Sequence, residues 1–356
     1  MTKLQDLPFE LIERIAESLC RHCTGPHSHD CETSALAINP YGGCVCSQSY
    51  AQESSRTLGA LCLTSRRLRD AAIRPLYHRP NVRKWWLLAG TVLARPDLAR
   101  HIKALYFHEG FAYTESEPVI PPAVVFYFNA RFDKYRASLT TDEQIDLDYC
   151  LGDDPGSLTS ANGGAWAISI LTSLCPGAES IEAVVSGYPN LFDVCTPPLL
   201  LSLHTIELSH WDTENGINLS SMAVLLRAAP NLRALRCRSV SDEEGKELGV
   251  VLEKLTEVEF QNSAMTAEAL KALLKACPGL ETFKYEAGGV VVGYYQFNPA
   301  EVRDLVSQYG TRMKKVVMDL REGEYSDGLQ DWDWDECEEV EEAFTEMGIE
   351  LELIMG

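Results

Sequence analysis

With 356 residues, 46% of them hydrophobic, and a formal net charge of −21 from 52 acids against 31 Lys and Arg, the chain is long and apolar enough to bury a sizeable core. That charge excludes a general basic field for nucleic acid or an anionic membrane surface, because phosphates would be repelled rather than exchanged for counterions. No apolar run is long enough for a transmembrane helix and the polar start lacks a secretory apolar core, so a cytoplasmic or nuclear protein whose twelve Cys stay mostly thiols is expected.

The first predicted element is a helix over Leu7 to Leu19. Leu7, Leu11, Ile12, Ile15 and Leu19 recur at spacings of three and four along one face, with Glu10, Glu13, Arg14 and Glu17 opposite. Pro8 suits the first turn, whose N–H groups are unpaired anyway. Cys20 to Arg56 then shows no apolar period. Cys20, Cys23, Cys31, Cys44 and Cys46, with His22, His27 and His29, lie there among Gly, Pro and Ser, as in an insertion. Helical pattern resumes at LGALCLTSRRLRDAAIRPLYHR, where Leu58, Leu61, Leu68, Ala72 and Leu76 recur between Arg66, Arg67, Arg69 and Arg74. Pro75 is expected to end or kink that helix.

The insertion carries metal-ligand chemistry. Cys20-x2-Cys23 and Cys44-x-Cys46 are two half-sites for a four-thiolate zinc ion, with His27, His29 or Cys31 as substitutes or as ligands of a second ion; the alternative is a loop of reduced thiols. Closing roughly forty residues rather than a few costs only on the order of 2 kcal/mol, so the flanking helices can still pack.

Past Asn81, Lys84 to Ala94 reads as an apolar helix and His101 to Phe107 as a short strand. That strand opens a frame of three apolar positions, the second three residues and the third five residues after the first. It recurs at Ile102-Leu105-Phe107, Ala178-Ile181-Ala183, Leu203-Ile206-Leu208, Leu232-Leu235-Cys237, Leu255-Val258-Phe260, Leu280-Phe283-Tyr285 and Met313-Val316-Met318. From the second frame on, starting positions differ by 25, 29, 23, 25 and 33 residues. Helical segments are predicted between frames: Ser220 capping MAVLLRAA, Ser241 and Glu244 as a capping box ahead of KELGVVLEKL, Thr266 ahead of AEALKALLKA, and Asn298-Pro299 opening AEVRDLVSQY.

Two stretches break the period. Glu109 to Asn162 is predicted as an insertion or a distorted repeat, with a capped helix at TTDEQIDLDYCL. In the second, Glu322 to Glu346 holds twelve acids and no Lys or Arg, about half the net charge. Asp331, Asp333, Asp335 and Glu342 follow an EF-hand calcium loop, but Glu336 stands where its sharp turn needs Gly. A terminal helix with Cys337, Val340, Phe344 and Met347 on one face, ended by Gly348 and followed by a strand at IELELIM, fits better.

Set side by side without the insertion, the two N-terminal segments resemble an F-box. Leu7-Pro8, Leu11-Ile12, Ile15 and Leu19 match its first helix. Leu61 and Thr64-Ser65-Arg66-Arg67-Leu68-Arg69 match its second block, Leu68 standing where Trp is usual, and Pro75-Leu76-Tyr77 looks like the fungal form. The frames resemble the degenerate leucine-rich repeats that follow F-boxes in many fungal adaptors. The resemblance implies an α/β fold: a small helical F-box over residues 1–80, split by the Cys/His-rich insertion at about 20–56. A leucine-rich-repeat-like solenoid of parallel strands and outer helices would follow over 81–356, irregular at about 109–162 and closed by an acidic cap at about 322–356. It also implies a substrate-recognition adaptor of an SCF-type cullin-RING ubiquitin ligase. Leu7, Pro8, Leu11, Ile12, Ile15, Leu61 and Leu68 would then bind a Skp-type adaptor, and through it a cullin, while the repeats hold a protein substrate. The alternative is a non-ligase scaffold whose F-box-like helices cap the repeats.

The fifth position of successive frames places Glu182, Glu207, Arg236, Glu259 and Lys284 on neighbouring strands. From Glu207 on the signs alternate, which predicts either a ladder of ion pairs or a mixed-charge substrate surface, for which Arg233, Arg236, Arg238, Glu259, Gln261 and Lys284 are the candidates. No nucleophile elbow, phosphate loop, His-Glu-x-x-His or dinucleotide fingerprint occurs. No catalysis by this chain is expected, and no cofactor other than zinc.

Overall fold

A computed structural model of the chain describes residues 4–24, 45–80, 82, 84–107, 119–145, 158, 163–185, 191–210, 216–242, 246–288, 298–320 and 334–354. It divides into two compact units, Met1–Ala183 and Val184–Gly356. The division falls well after the change of composition at residue 81, so the N-terminal helices share a unit with the first strands.

The first unit begins with α1 (Phe9–Ser18), α2 (Arg21–Thr24), α3 (Val45–Thr64) and α4 (Arg66–His78). Pro8 stands outside α1 as its N-cap, with ψ 144°, rather than in the first turn. Its carbonyl still accepts from the N–H groups of Leu11 and Ile12. The expected insertion is helical from Val45 onward, so α3 runs straight through Arg56. Ser65 interrupts the expected single helix because its hydroxyl accepts from the Leu68 N–H at 3.3 Å and starts α4 anew. Pro75 does not end α4, which continues to His78. The Pro75 ring is buried in the module, which places apolar surface out of water where the helix loses the N–H that proline lacks.

Two clusters hold this module. Ile12, Leu68 and Ala71 pack with Leu7, Phe9 and Leu61, while Ala16, Cys20, Leu58 and Ala72 pack with Leu19, Leu61, Cys62 and Leu76. Steps of four along α1 meet steps of four along α4, and Leu61 joins both clusters. Arg67 donates to the Leu7 carbonyl at 2.8 Å, and the Ser54 hydroxyl donates to the Leu19 carbonyl at 2.6 Å, giving one orphan acceptor at the end of α1 a partner.

The unit continues through α5 (Trp85–Ala94), α6 (Pro96–Ala99), β1 (Ala104–Phe107), α7 (Pro122–Ser138), α8 (residues 141–145), α9 (Gly163–Leu174) and β2 (Ser180–Val185), all but the last two residues of which fall within it. Helix α7 lies in the stretch expected to be irregular. Val124, Phe128 and Phe132, four apart, are buried on one side, and Phe128 meets the Trp166 ring of α9 at 5.3 Å. Thr140 and Glu143 cap α8 reciprocally, as the sequence predicts. The rest of that predicted helix lies outside the described residues. Strands β1 and β2 pair in parallel with Leu105 opposite Ile181 and Phe107 opposite Ala183.

The second unit alternates helix and strand except between β4 and β6: α10 (Leu191–Val194), β3 (Thr205–His210), α11 (Ala223–Ala228), β4 (Ala234–Arg238), β5 (Ser241–Asp242), β6 (Glu257–Met265), α12 (Ala267–Ala276), β7 (Thr282–Ala287), α13 (Pro299–Tyr309), β8 (Lys315–Asp319), α14 (Trp334–Glu346) and β9 (Glu350–Ile354). Within it β3, β4, β6, β7, β8 and β9 lie side by side, each pairing parallel, and β5 pairs with the far end of β6. The fold is α/β with parallel strands, as expected. Every apolar position of the seven frames is at most 6% exposed, and frames oppose one another in register, Leu235 beside Val258 and Phe283 beside Val316.

One backbone device repeats with the frame. The carbonyl after the first apolar position accepts from two successive N–H groups of the next repeat. His204 takes Arg233 and Ala234, Arg233 takes Thr256 and Glu257, Thr256 takes Glu281 and Thr282, and Glu281 takes Lys314 and Lys315, at 2.8–3.1 Å. A close approach is also reused. A Cβ on Gly279 would overlap the Glu253 carbonyl oxygen, and one on Gly177 in the first unit would come within 2.9 Å of the Arg100 oxygen.

Thr266 and Asn298 cap α12 and α13 as predicted, Asn298 with Glu301 in a full capping box. Asn218 rather than Ser220 opens the turn before α11, accepting from the Ser220 N–H at 2.9 Å. The helix predicted at KELGVVLEKL is absent: residues 246–254 are irregular, although Leu248 and Leu252 remain buried, and Glu244 is outside the described residues. Gly249, at φ +58°, and the adjacent β-branched Val250 and Val251 disfavour helix in this shortest repeat. In α14, Val340 and Phe344 are fully buried and Gly348 ends the segment at φ +71°. Met347, predicted on the same face, is 36% exposed. The acids at 322–333 lie outside the described residues. Among the described residues, no helix is long and apolar enough to cross a membrane.

Candidate functional site

The predicted adaptor-binding residues divide by depth. Ile12 at 2% and Leu68 at 6% exposed form the interior of the N-terminal module, while Leu11, one residue along, is 46% exposed. Pro8 is exposed as well, and Leu7, Ile15 and Leu61 are half-buried. The surface open to a partner is therefore Pro8, Leu11 and the outer parts of Leu7, Ile15 and Leu61, supported from beneath by Ile12 and Leu68.

At the end of α1 the chain builds a second feature. The Cys20 N–H bonds back to the Glu17 carbonyl at 3.0 Å, and the Cys20 carbonyl accepts from Cys23 at 3.0 Å and Thr24 at 3.1 Å, so Cys20-x2-Cys23 is wound into one helical turn. That turn sets both thiols against the end of α4. His78 Nδ1 lies 3.7 Å from the Cys20 sulfur and 3.1 Å from the Cys23 sulfur. The ligand atoms of Cys20, Cys23 and His78 lie within 4.8 Å of one another, a group able to hold a metal ion.

The neighbouring groups form a closed circuit. His22 Nδ1 is 4.0 Å from the Cys23 sulfur, and its Nε2 is 3.3 Å from a Glu179 oxygen. The other Glu179 oxygen pairs with Lys103 Nζ at 2.7 Å, and the Lys103 N–H donates to the His78 carbonyl at 2.9 Å. Loss of solvent around its sulfur, helped by the adjacent Cys20, pushes the Cys23 thiol up to about 12. Burial first, and His22 second, lower His78 to about 4, leaving a neutral imidazole, the form that ligates metal. Although partial burial opposes ionisation, Lys103 and His22 hold the Glu179 carboxyl below its usual range.

Of the predicted zinc ligands, Cys20 and Cys23 are thus brought together. Cys44, His27, His29 and Cys31 lie outside the described residues, and of Cys46 only its place in α3 is described. Sequence reasoning missed His78, which stands 58 residues beyond Cys20 in the last turn of α4. The available signal was the matching of the two helices in steps of four, which carries Cys20 to the end of α4. Cys175, Cys237 and Cys277 are buried as free thiols, and no disulfide links the seven described cysteines.

On the repeats, Glu207, Arg236, Glu259 and Lys284 lie in register across β3, β4, β6 and β7, as predicted. Arg236 meets Glu257 at 3.0 Å and Glu259 at 3.8 Å, Lys284 meets Glu259 at 3.5 Å, and Gln261 donates to Glu259 at 2.7 Å. With the Asn262 amide turned as its neighbours require, it bridges Arg238 and Glu286 at 3.0 Å. Arg233 is exposed just before β4. The row is a network of neighbouring ion pairs.

No family model matches this sequence, and no curated protein matches it.

Proposed function

We propose that the chain is a substrate-recognition adaptor of an SCF-type cullin-RING ubiquitin ligase. Its F-box-like helices dock a Skp-type adaptor, which carries the cullin, and its repeats, read as leucine-rich, hold a protein substrate. The carrying observation is Leu11, 46% exposed on the same turn of α1 as fully packed Ile12. Covering the exposed half of that side chain contributes on the order of 1 kcal/mol, and because exposed Pro8 and half-buried Leu7, Ile15 and Leu61 belong to the same module, an apolar face rather than a single residue favours a partner there. The mechanism is proximity: the chain raises the effective concentration of substrate lysines beside a ubiquitin-loaded enzyme supplied by a partner.

The scaffold alternative draws on a different contact. The His78 carbonyl takes the Lys103 N–H, and the Arg79 guanidinium lies 4.6 Å over the Tyr106 ring of β1, so α4 is tied to the first strand as a structural cap would be.

Pull-down with a purified Skp-type adaptor separates the two. Leu11→Asp is expected to weaken capture at least about tenfold while leaving helicity and the denaturation midpoint unchanged. Failure of the intact chain to bind, or binding indifferent to Leu11→Asp combined with Ile15→Asp, would leave the scaffold.

A further inference from the structure

We propose that Cys20, Cys23 and His78 bind one Zn2+ through two thiolates and an imidazole, and that His22, whose Nδ1 lies 4.0 Å from the Cys23 sulfur but outside that close group, turns in as the fourth ligand with Glu179 accepting its remaining ring N–H. The inference is independent of the adaptor reading, and it replaces the predicted Cys44 and Cys46 half-site with two histidines.

Ligand separations are the first support. Zinc takes thiolate sulfur at about 2.3 Å and imidazole nitrogen at about 2.0–2.1 Å in a tetrahedron, which places sulfur and nitrogen about 3.6 Å apart along each edge. The distances here are 3.7 Å from Cys20 to His78, 3.1 Å from Cys23 to His78 and 4.0 Å from Cys23 to His22. Hydrogen bonding accounts poorly for the arrangement, since one imidazole nitrogen faces two thiols, each a weak donor.

The setting of His22 is the second. A metal-bound histidine commonly donates its other N–H to a carboxylate, which fixes the tautomer and turns the free nitrogen toward the ion. His22 has that setting: Nδ1 faces the Cys23 sulfur while Nε2 meets Glu179, itself held by Lys103. The His22 and His78 rings stand 5.2 Å apart and at 71°, edge to face rather than stacked, so a small turn of the His22 side chain brings Nδ1 from its 4.0 Å contact with Cys23 toward the group formed by Cys20, Cys23 and His78.

Binding is proton-balanced. Zn2+ enters, the two thiol protons leave to solvent, and both imidazoles enter neutral. The ion would join the turn after α1 to the last turn of α4. It would thereby close the interval that contains the Cys/His-rich insertion and offset the closure entropy of that interval.

The test uses the full chain purified under reducing conditions without chelator. Elemental analysis is expected to give about one zinc per chain, and Co2+ exchange to give thiolate charge-transfer and d–d bands of a tetrahedral two-sulfur shell. Cys23→Ser and His78→Gln should each lose the ion, whereas Cys44→Ser with Cys46→Ser should keep it. Glu179→Gln should keep it but bind about 10–100-fold more weakly. Three outcomes overturn the site: no zinc after reconstitution, zinc lost with Cys44 and Cys46 but kept in His78→Gln, or a Cys20–Cys23 disulfide in the reduced preparation. The cobalt spectrum of the intact chain decides even where a variant fails to fold.

Discussion

Two regions of this molecule solve the same packing problem over different chain distances. In the repeats, each strand pairs with a neighbour carrying the same frame, so Val258 meets Phe283 and Phe283 meets Val316. In the N-terminal module, Ile12 packs with Leu68 and Cys20 reaches His78, across an insertion with no repeat of its own. Repeats gain stability as a sum of neighbouring interfaces, whereas the module depends on a few individual pairs. Damage to a repeat should therefore spread along the sheet, and damage to the module should stay with α1.

The largest expected loss comes from Phe283→Ala. Phe283 is fully buried, edge-on to Phe260 at 6.2 Å and stacked with Tyr285 at 6.4 Å, so truncation should cost about 3–5 kcal/mol in urea unfolding. Amide exchange should quicken in β6 and β8 together. Protection unchanged in both would break the comparison, because the strands would then not share stability. Leu68→Ala should cost somewhat less, about 2–4 kcal/mol, and act locally. Exchange should quicken through α1 and the start of α4 while β6 to β8 keep their protection; uniform loosening of the chain would defeat that expectation.

The same contrast in chain distance decides what could be read in advance. Every apolar position of the seven frames was legible, because a parallel strand needs one fixed local pattern and its partner repeats it. Thr266 and Asn298 were legible for the same local reason. KELGVVLEKL was misread because Ser241 has another use: it pairs with Ala264 in β5, where a Ser-x-x-Glu pattern alone predicts a cap. Helix α7 was missed because its Val, Phe and Tyr favour strand, and only Pro122 in its first turn and the four-residue step of Val124, Phe128 and Phe132 give it away. At the candidate metal site the Cys20-Cys23 spacing is visible in sequence, but His78 and Glu179 enter only through tertiary packing.

The smallest expected effect bears on the use of the repeat face. Glu259 faces Arg236 at 3.8 Å and Lys284 at 3.5 Å, with side-chain exposures of 21%, 40% and 40%. Pairs this open contribute only a few tenths to about 1 kcal/mol, and salt screens them. Glu259→Gln should accordingly shift stability by less than about 1 kcal/mol at low salt and by almost nothing near 1 M, since Arg236 keeps Glu257 at 3.0 Å. A larger, salt-independent loss in urea unfolding would mean the row is needed to hold the strands. The small loss leaves a different role open: because neighbouring strands satisfy each of these charges cheaply, a charged partner can exchange for them without disturbing the buried frame beneath.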